Sequence, residues 1–178
     1  MTKAFFAIIF IGFYSNLQAQ KFVADSSYVR FFSEAPIENI EATNVKGASV
    51  FDSGDGRIVF SIPIKNFTFD KSLMQEHFNE NYLESDKYPK ASFSGKIDNW
   101  SKTSGSSKAT ASGEMTIHGV TKEVSVEGDL VFTEDMVSIS ATFPIEVANY
   151  KIKIPKAVFY NIAEIVEVTV YFEYKPNE

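Results

Sequence analysis

The stretch MVSISATFPIEV, residues 136–147, places Val137, Ile139, Ala141, Phe143, Ile145 and Val147 at every second position. Ser138, Ser140, Thr142 and Glu146 stand between them. Successive side chains of a strand point to opposite faces, so this spacing predicts a strand with one apolar and one wet face. The same rhythm recurs in both directions along the chain. Ile58, Phe60, Ile62 and Ile64 alternate within 57–67, and Ala109, Ala111, Gly113, Met115 and Ile117 within 108–117. Val166, Val168, Val170, Phe172 and Tyr174 alternate within 162–174. One-sided strands of this kind are the habit of antiparallel sheets.

Four weaker segments, 28–33, 40–50, 92–99 and 124–132, bring the number of expected strands to eight. Turn chemistry separates them: Asp52-Ser53-Gly54-Asp55-Gly56, Ser104-Gly105-Ser106-Ser107, His118-Gly119 and Thr133-Glu134-Asp135. Eight strands with short connections predict an all-β, antiparallel, up-and-down barrel of lipocalin type. A two-sheet sandwich is the competing arrangement. Residues 72–82, SLMQEHFNENY, break the alternation. Leu73, Met74, His77 and Phe78 share a helical face, which predicts a short helix capping one barrel mouth. A second helical turn is expected at 155–160.

The first nineteen residues read differently. Lys3 is followed by the uncharged apolar run AFFAIIFIGFY and then SNLQA. This order is that of a secretory signal peptide, with cleavage expected after Ala19. The run is shorter than the roughly 20 apolar residues of a spanning helix. Residues 20–178 are then one exported domain, periplasmic or secreted. No cysteine occurs, so neither a lipid-anchored N-terminus nor a disulfide is expected. Removing Lys3 takes the formal charge from −6 to −7, a poor match for nucleic acid or anionic headgroups.

Catalytic and metal constellations are not evident. His77 and His118 are the only histidines and sit on separate predicted elements. A metal site needs three or four convergent ligands. No nucleophile elbow, paired carboxylates or phosphate-binding glycine loop appears. The matches to the glycosylation pattern at Asn66 and Asn99 read as chance. With 17 Phe and 8 Tyr, the apolar interior is large. An eight-stranded barrel is either filled by its own side chains or just wide enough for one small ligand. Periodicity leaves both open.

Two stretches carry a resemblance. YPKASFSGKI (88–97) and GEMTIHGVTKEV (113–124), at this separation, resemble the YceI-like family of exported polyisoprenoid-binding proteins. Met115 stands where that family usually has Leu. The segment SLMQEHFNENYLESDKYP is also similar to the family's helix and loop. The resemblance implies an isoprenoid chain or quinone lying along the barrel and no other cofactor. Phe31, Phe60, Ile62, Phe93, Met115, Ile117, Phe143, Ile145, Val168 and Val170 would then line the tunnel. Leu73, Met74 and Phe78 would close one mouth. The family's early His and Gly-x-Phe are absent from RFFSEAPIENIEATNVKGASVFD, and Gln75-Glu76-His77 replaces its Arg-Asp pair. Headgroup contacts made by those residues in relatives do not carry over. Two other readings compete: a filled-barrel structural module, and an enzyme acting on a lipid. Tyr171, expected to be exposed, hints at a homodimer surface.

Overall fold

A computed structural model describes residues 20–34, 39–154 and 163–177. The first nineteen residues and the helical turn expected at 155–160 lie outside the described residues.

Ten strands form one antiparallel sheet: β1 (Lys21–Ser33), β2 (Ile40–Asn44), β3 (Ala48–Asp52), β4 (Arg57–Pro63), β5 (Thr68–Phe69), β6 (Lys90–Ile97), β7 (Gly105–Ile117), β8 (Val120–Phe132), β9 (Val137–Glu146) and β10 (Ile165–Pro176). β2 and β3 pair with opposite ends of β1, so they are two halves of one wall strand, and β5 adds only two residues beside β2. Counted this way, eight strands go round in sequence order. The ring closes where β1 pairs with β10, from Phe22 opposite Pro176 to Phe32 opposite Glu167. That closure decides for the barrel and against the sandwich.

The break between β2 and β3 has a local cause. Asn44 is buried; its Nδ2 donates to the Pro63 carbonyl at 2.8 Å and its Oδ1 accepts from the Lys46 N–H at 2.8 Å. A side chain thus takes over bonds that a continuous ladder would make. β1 starts seven residues before the expected Tyr28, because a bulge between Ala24 and Ser26 interrupts the alternation. β4 stops at Pro63 and turns into a single 3-10 turn, Ile64–Asn66. Ser106 and Ser107, expected in a turn, instead pair with Val131 and Leu130 at the start of β7.

The helix α1 (Ser72–His77) runs straight into a π turn over Phe78–Tyr82. Met74 and Phe78, four apart, face the barrel. Leu73 does not: it is 61% exposed. The expectation that Leu73 helps close the mouth is therefore corrected. Six α-helical residues offer too narrow an inner stripe for two adjacent residues to share.

Candidate functional site: a hollow barrel with a split wall

One end of the barrel is packed solid. Phe22, Phe51 and Phe132 are almost fully buried, with ring centroids 5.9–6.4 Å apart. Trp100 closes over Phe51 and Phe132 at 5.1 and 5.5 Å, and its Nε1 donates to the Ser53 carbonyl at 2.9 Å. Nearby, Tyr174 is fully buried and its hydroxyl lies 2.7 Å from Ser49 Oγ. Ser49 Oγ donates to the Val59 carbonyl at 2.8 Å, so the tyrosine is the donor of that pair. Burial pushes the Tyr174 hydroxyl well above the ordinary tyrosine range.

Beyond these rings the barrel is hollow. A cavity of about 260 Å³ is walled by Phe60, Ile62, Phe93, Met115 and Ile117 on one side and Phe143, Ile145, Val168 and Val170 on the other. Phe31, Met74 and Phe78 close it towards α1. Twelve of the thirteen residues picked from the sequence thus meet around one space, and Leu73 is the exception. The reason for the space is side-chain size. Inward positions on β7, β8 and β9 carry Ala109, Ala111, Gly113, Gly128 and Ala141. Sequence reasoning saw the alternation at the β7 and β9 positions but not the volume their smallness leaves.

The mouth is held by two devices. Phe78 stacks on Phe31 at 5.3 Å and meets Phe67 and Phe69 at 5.6 and 5.0 Å, gluing the π turn to the wall. His118 is more than the turn residue expected of it. It and Gly119 both take left-handed φ, 50° and 71°, as a two-residue hairpin requires. Its Nε2 is 2.8 Å from Glu84 Oε2 and its Nδ1 is 3.1 Å from the Tyr150 carbonyl. One ring therefore ties the loop after α1, the β7–β8 hairpin and the turn after β9. Both nitrogens face oxygen partners. His77 takes no part in this. Among the described residues no three His, Asp or Glu converge as metal ligands would. On the outer wall, the Tyr171 hydroxyl donates to Glu173.

Among the described residues the wall itself is incomplete. β7 and β8 pair along thirteen positions, but β8 pairs with β9 only from Asp129 opposite Ser140 to Phe132 opposite Val137. Among the described residues no strand pairs with β8 over Val120–Gly128 or with that side of β9 over Ala141–Glu146. Two residues mark the split. A Cβ on Gly128 would stand 2.3 Å from the Ser140 carbonyl oxygen, so only glycine lets β9 cross there. Pro144 has no N–H, which suits a strand paired on one side alone. Val126, Gly128, Ala141, Phe143 and Ile145 flank this seam and also line the cavity. Nothing in the alternation betrays it.

A hollow, apolar, eight-stranded barrel closed at one end is the class of molecule these features define. The YceI-like domain profile matches residues 21–174, and the chain belongs to the YceI-like family. None of the curated proteins matches it in sequence. Solved structures similar to it share the fold at low identity. A polyisoprenoid-binding domain from Saccharophagus degradans, implicated in plant cell wall breakdown, superimposes with a TM-score of 0.76 at 13% identity, over 90% of this chain and 100% of that one. BcnA of Burkholderia cenocepacia gives 0.69 at 17%, over 83% and 95%. A Campylobacter jejuni YceI protein gives 0.59 at 15%, over 99% and 94%.

Proposed function

We propose that this protein is a binding protein, not an enzyme, which holds the apolar chain of an isoprenoid-type lipid or quinone in its barrel after export to the periplasm or beyond. The observation that carries the reading is the 260 Å³ apolar void beside a fully packed end. At about 24 cal/mol per Å³, keeping such a void empty costs roughly 6 kcal/mol. A guest chain recovers that cost, gaining ~0.8 kcal/mol per buried methylene before ordering losses. Membership of the YceI-like family and the likeness to a polyisoprenoid-binding domain point the same way. The apolar run after Lys3 supports export. No helix among the described residues is long and apolar enough to cross a membrane.

The test is native mass spectrometry with organic extraction, on protein exported by its own host. A co-purifying prenyl chain or quinone, with cleavage after Ala19, is the expected result. Mature protein with no extractable lipid, and no uptake of prenyl lipid after delipidation, would overturn the reading.

A further inference from the structure

Among the described residues the cavity has three boundaries, and they differ. The packed end is shut by the rings of Phe22, Phe51, Phe132 and Trp100. The mouth is covered by α1 and its π turn, with Phe78 seated on Phe31, Phe67 and Phe69. Under that cover the cavity-lining Ile64, Phe67, Leu83 and Val147 are each at most 8% exposed. The β8–β9 seam is the third boundary. Along it Val126, Phe143 and Ile145 line the same cavity and are half-exposed.

The sequence keeps the two edges of the seam apart. The β8–β9 ladder stops, on the side of the mouth, at Asp129 opposite Ser140. Continued in register, it would set Ser125 against Pro144 and Glu123 against Glu146. Pro144 has no N–H to give, and two carboxylates directly opposite one another repel. The seam is nevertheless fixed at both ends. At one, Gly128 lies against the Ser140 carbonyl. At the other, the His118 ring on the β7–β8 hairpin lies 3.1 Å from the Tyr150 carbonyl in the turn after β9. Between those points the edges are free of each other. Parting the wall between β7 and β8 would break a ladder of thirteen paired positions. Parting it along the seam breaks no ladder bond among the described residues.

Resting on the carrier reading above, we infer that the apolar guest enters and leaves the barrel sideways, through this β8–β9 slit, while α1 stays seated on the mouth. A flexible chain can be laid in along the slit piece by piece, passing from one apolar edge to the apolar interior. End-on entry must instead unseat Phe78 from three rings. The slit then sets the rate of exchange, and the cavity behind it sets the affinity.

The chain has no cysteine, so thiols can be placed where they are wanted. Glu123→Cys with Glu146→Cys puts one thiol on each edge of the slit, on the outer face. Glu127→Cys with Thr142→Cys does the same beside the fork, where the strands already meet, and serves as the control. Each pair in the mature protein is bridged with the shortest bis-methanethiosulfonate reagent that reacts fully, checked by mass, and is reopened with dithiothreitol. Stopped-flow fluorescence follows uptake of Nile red and its release on addition of geranylgeraniol. The bridge across 123 and 146 is expected to slow uptake and release about tenfold or more, to change the equilibrium affinity less than about twofold, and to lose its effect on reduction. The bridge at the fork should leave both rates within about twofold of the reduced protein. Unchanged rates with 123 and 146 bridged would overturn the inference in favour of end-on entry, and the carrier reading would stand. Equal slowing by both bridges would overturn it too, since general stiffening then explains the effect. So would the failure of every reagent to span 123 and 146, because the two edges would not then flank one slit. An unbridged protein that takes up neither probe overturns the carrier reading as well.

Discussion

At the packed end of the barrel, inward positions hold Phe22, Phe51, Phe132 and Tyr174, each at most 2% exposed. Towards the mouth, inward positions on neighbouring strands hold Ala109, Ala111, Gly113 and Ala141, and their large neighbours Phe60, Phe143 and Val168 are only half-buried. Both ends belong to one sheet, and apart from the bulge in β1 both keep the same inward-facing alternation of apolar residues. What changes is volume. A sheet's pattern fixes which face turns inward, whereas residue size decides whether the inside is a core or a container.

The sharpest way to break that comparison is to truncate one ring at each end. Phe51→Ala is expected to cost about 3–5 kcal/mol in urea denaturation, since it opens a void in a close-packed cluster. Phe143→Ala, on a wall that already faces space, should cost less than half as much. Equal losses would mean that the two ends are packed alike. Next in size is the mouth. His118→Ala should cost about 1–3 kcal/mol, because it strands the Tyr150 carbonyl and frees Glu84. Faster amide exchange over residues 78–84 would locate the loss at the mouth, and exchange accelerated instead at the packed end would contradict that assignment.

The packed end should also announce itself at high pH. Tyr174 has its folded-state pKa raised by burial, so the folded protein holds that proton more tightly than the unfolded chain. Its contribution is whole below the unfolded value of about 10 and is lost as pH rises above it, by up to about 1.4 kcal/mol per pH unit. Tyr174→Phe should flatten the stability profile above that point and leave it parallel to wild type below. Ala111→Phe fills the container from within. It is expected to change stability by only about 1 kcal/mol in either direction and to abolish lipid uptake, and a loss of several kcal/mol would mean that the space is not free. The smallest effect belongs to Leu73→Ser, within about 0.5 kcal/mol of wild type, since that side chain lies on the solvent face of α1.

All eight wall strands are legible in the sequence, because one-sided burial writes a period of two into each of them. The misreadings have particular causes. The first half of β1 is hidden by the bulge at Asp25, where an extra residue shifts the alternation. Leu73 and Met74 cannot be told apart by helical spacing when α1 has barely more than one and a half turns. Of the site, the apolar wall could be read, while the cavity could not, since an alanine in a core and an alanine beside a void look alike in a string. His118 belongs to a hairpin by its neighbour Gly119, but its tie to Glu84 joins residues 34 apart in sequence, and no local pattern records that. Pro144 and Gly128 were visible as residues; their joint effect on the sheet depends on which strand lies alongside.

That effect has a consequence for how copies of this molecule behave towards one another. Two strand edges without strand partners among the described residues are a ready template for another chain, the usual starting point of edge-to-edge aggregation. Here one edge carries Pro144, which cannot extend a ladder, and the other carries Lys122, Glu123 and Glu127, charges that an incoming strand would have to bury or match. These few residues therefore work against edge-to-edge pairing along the split.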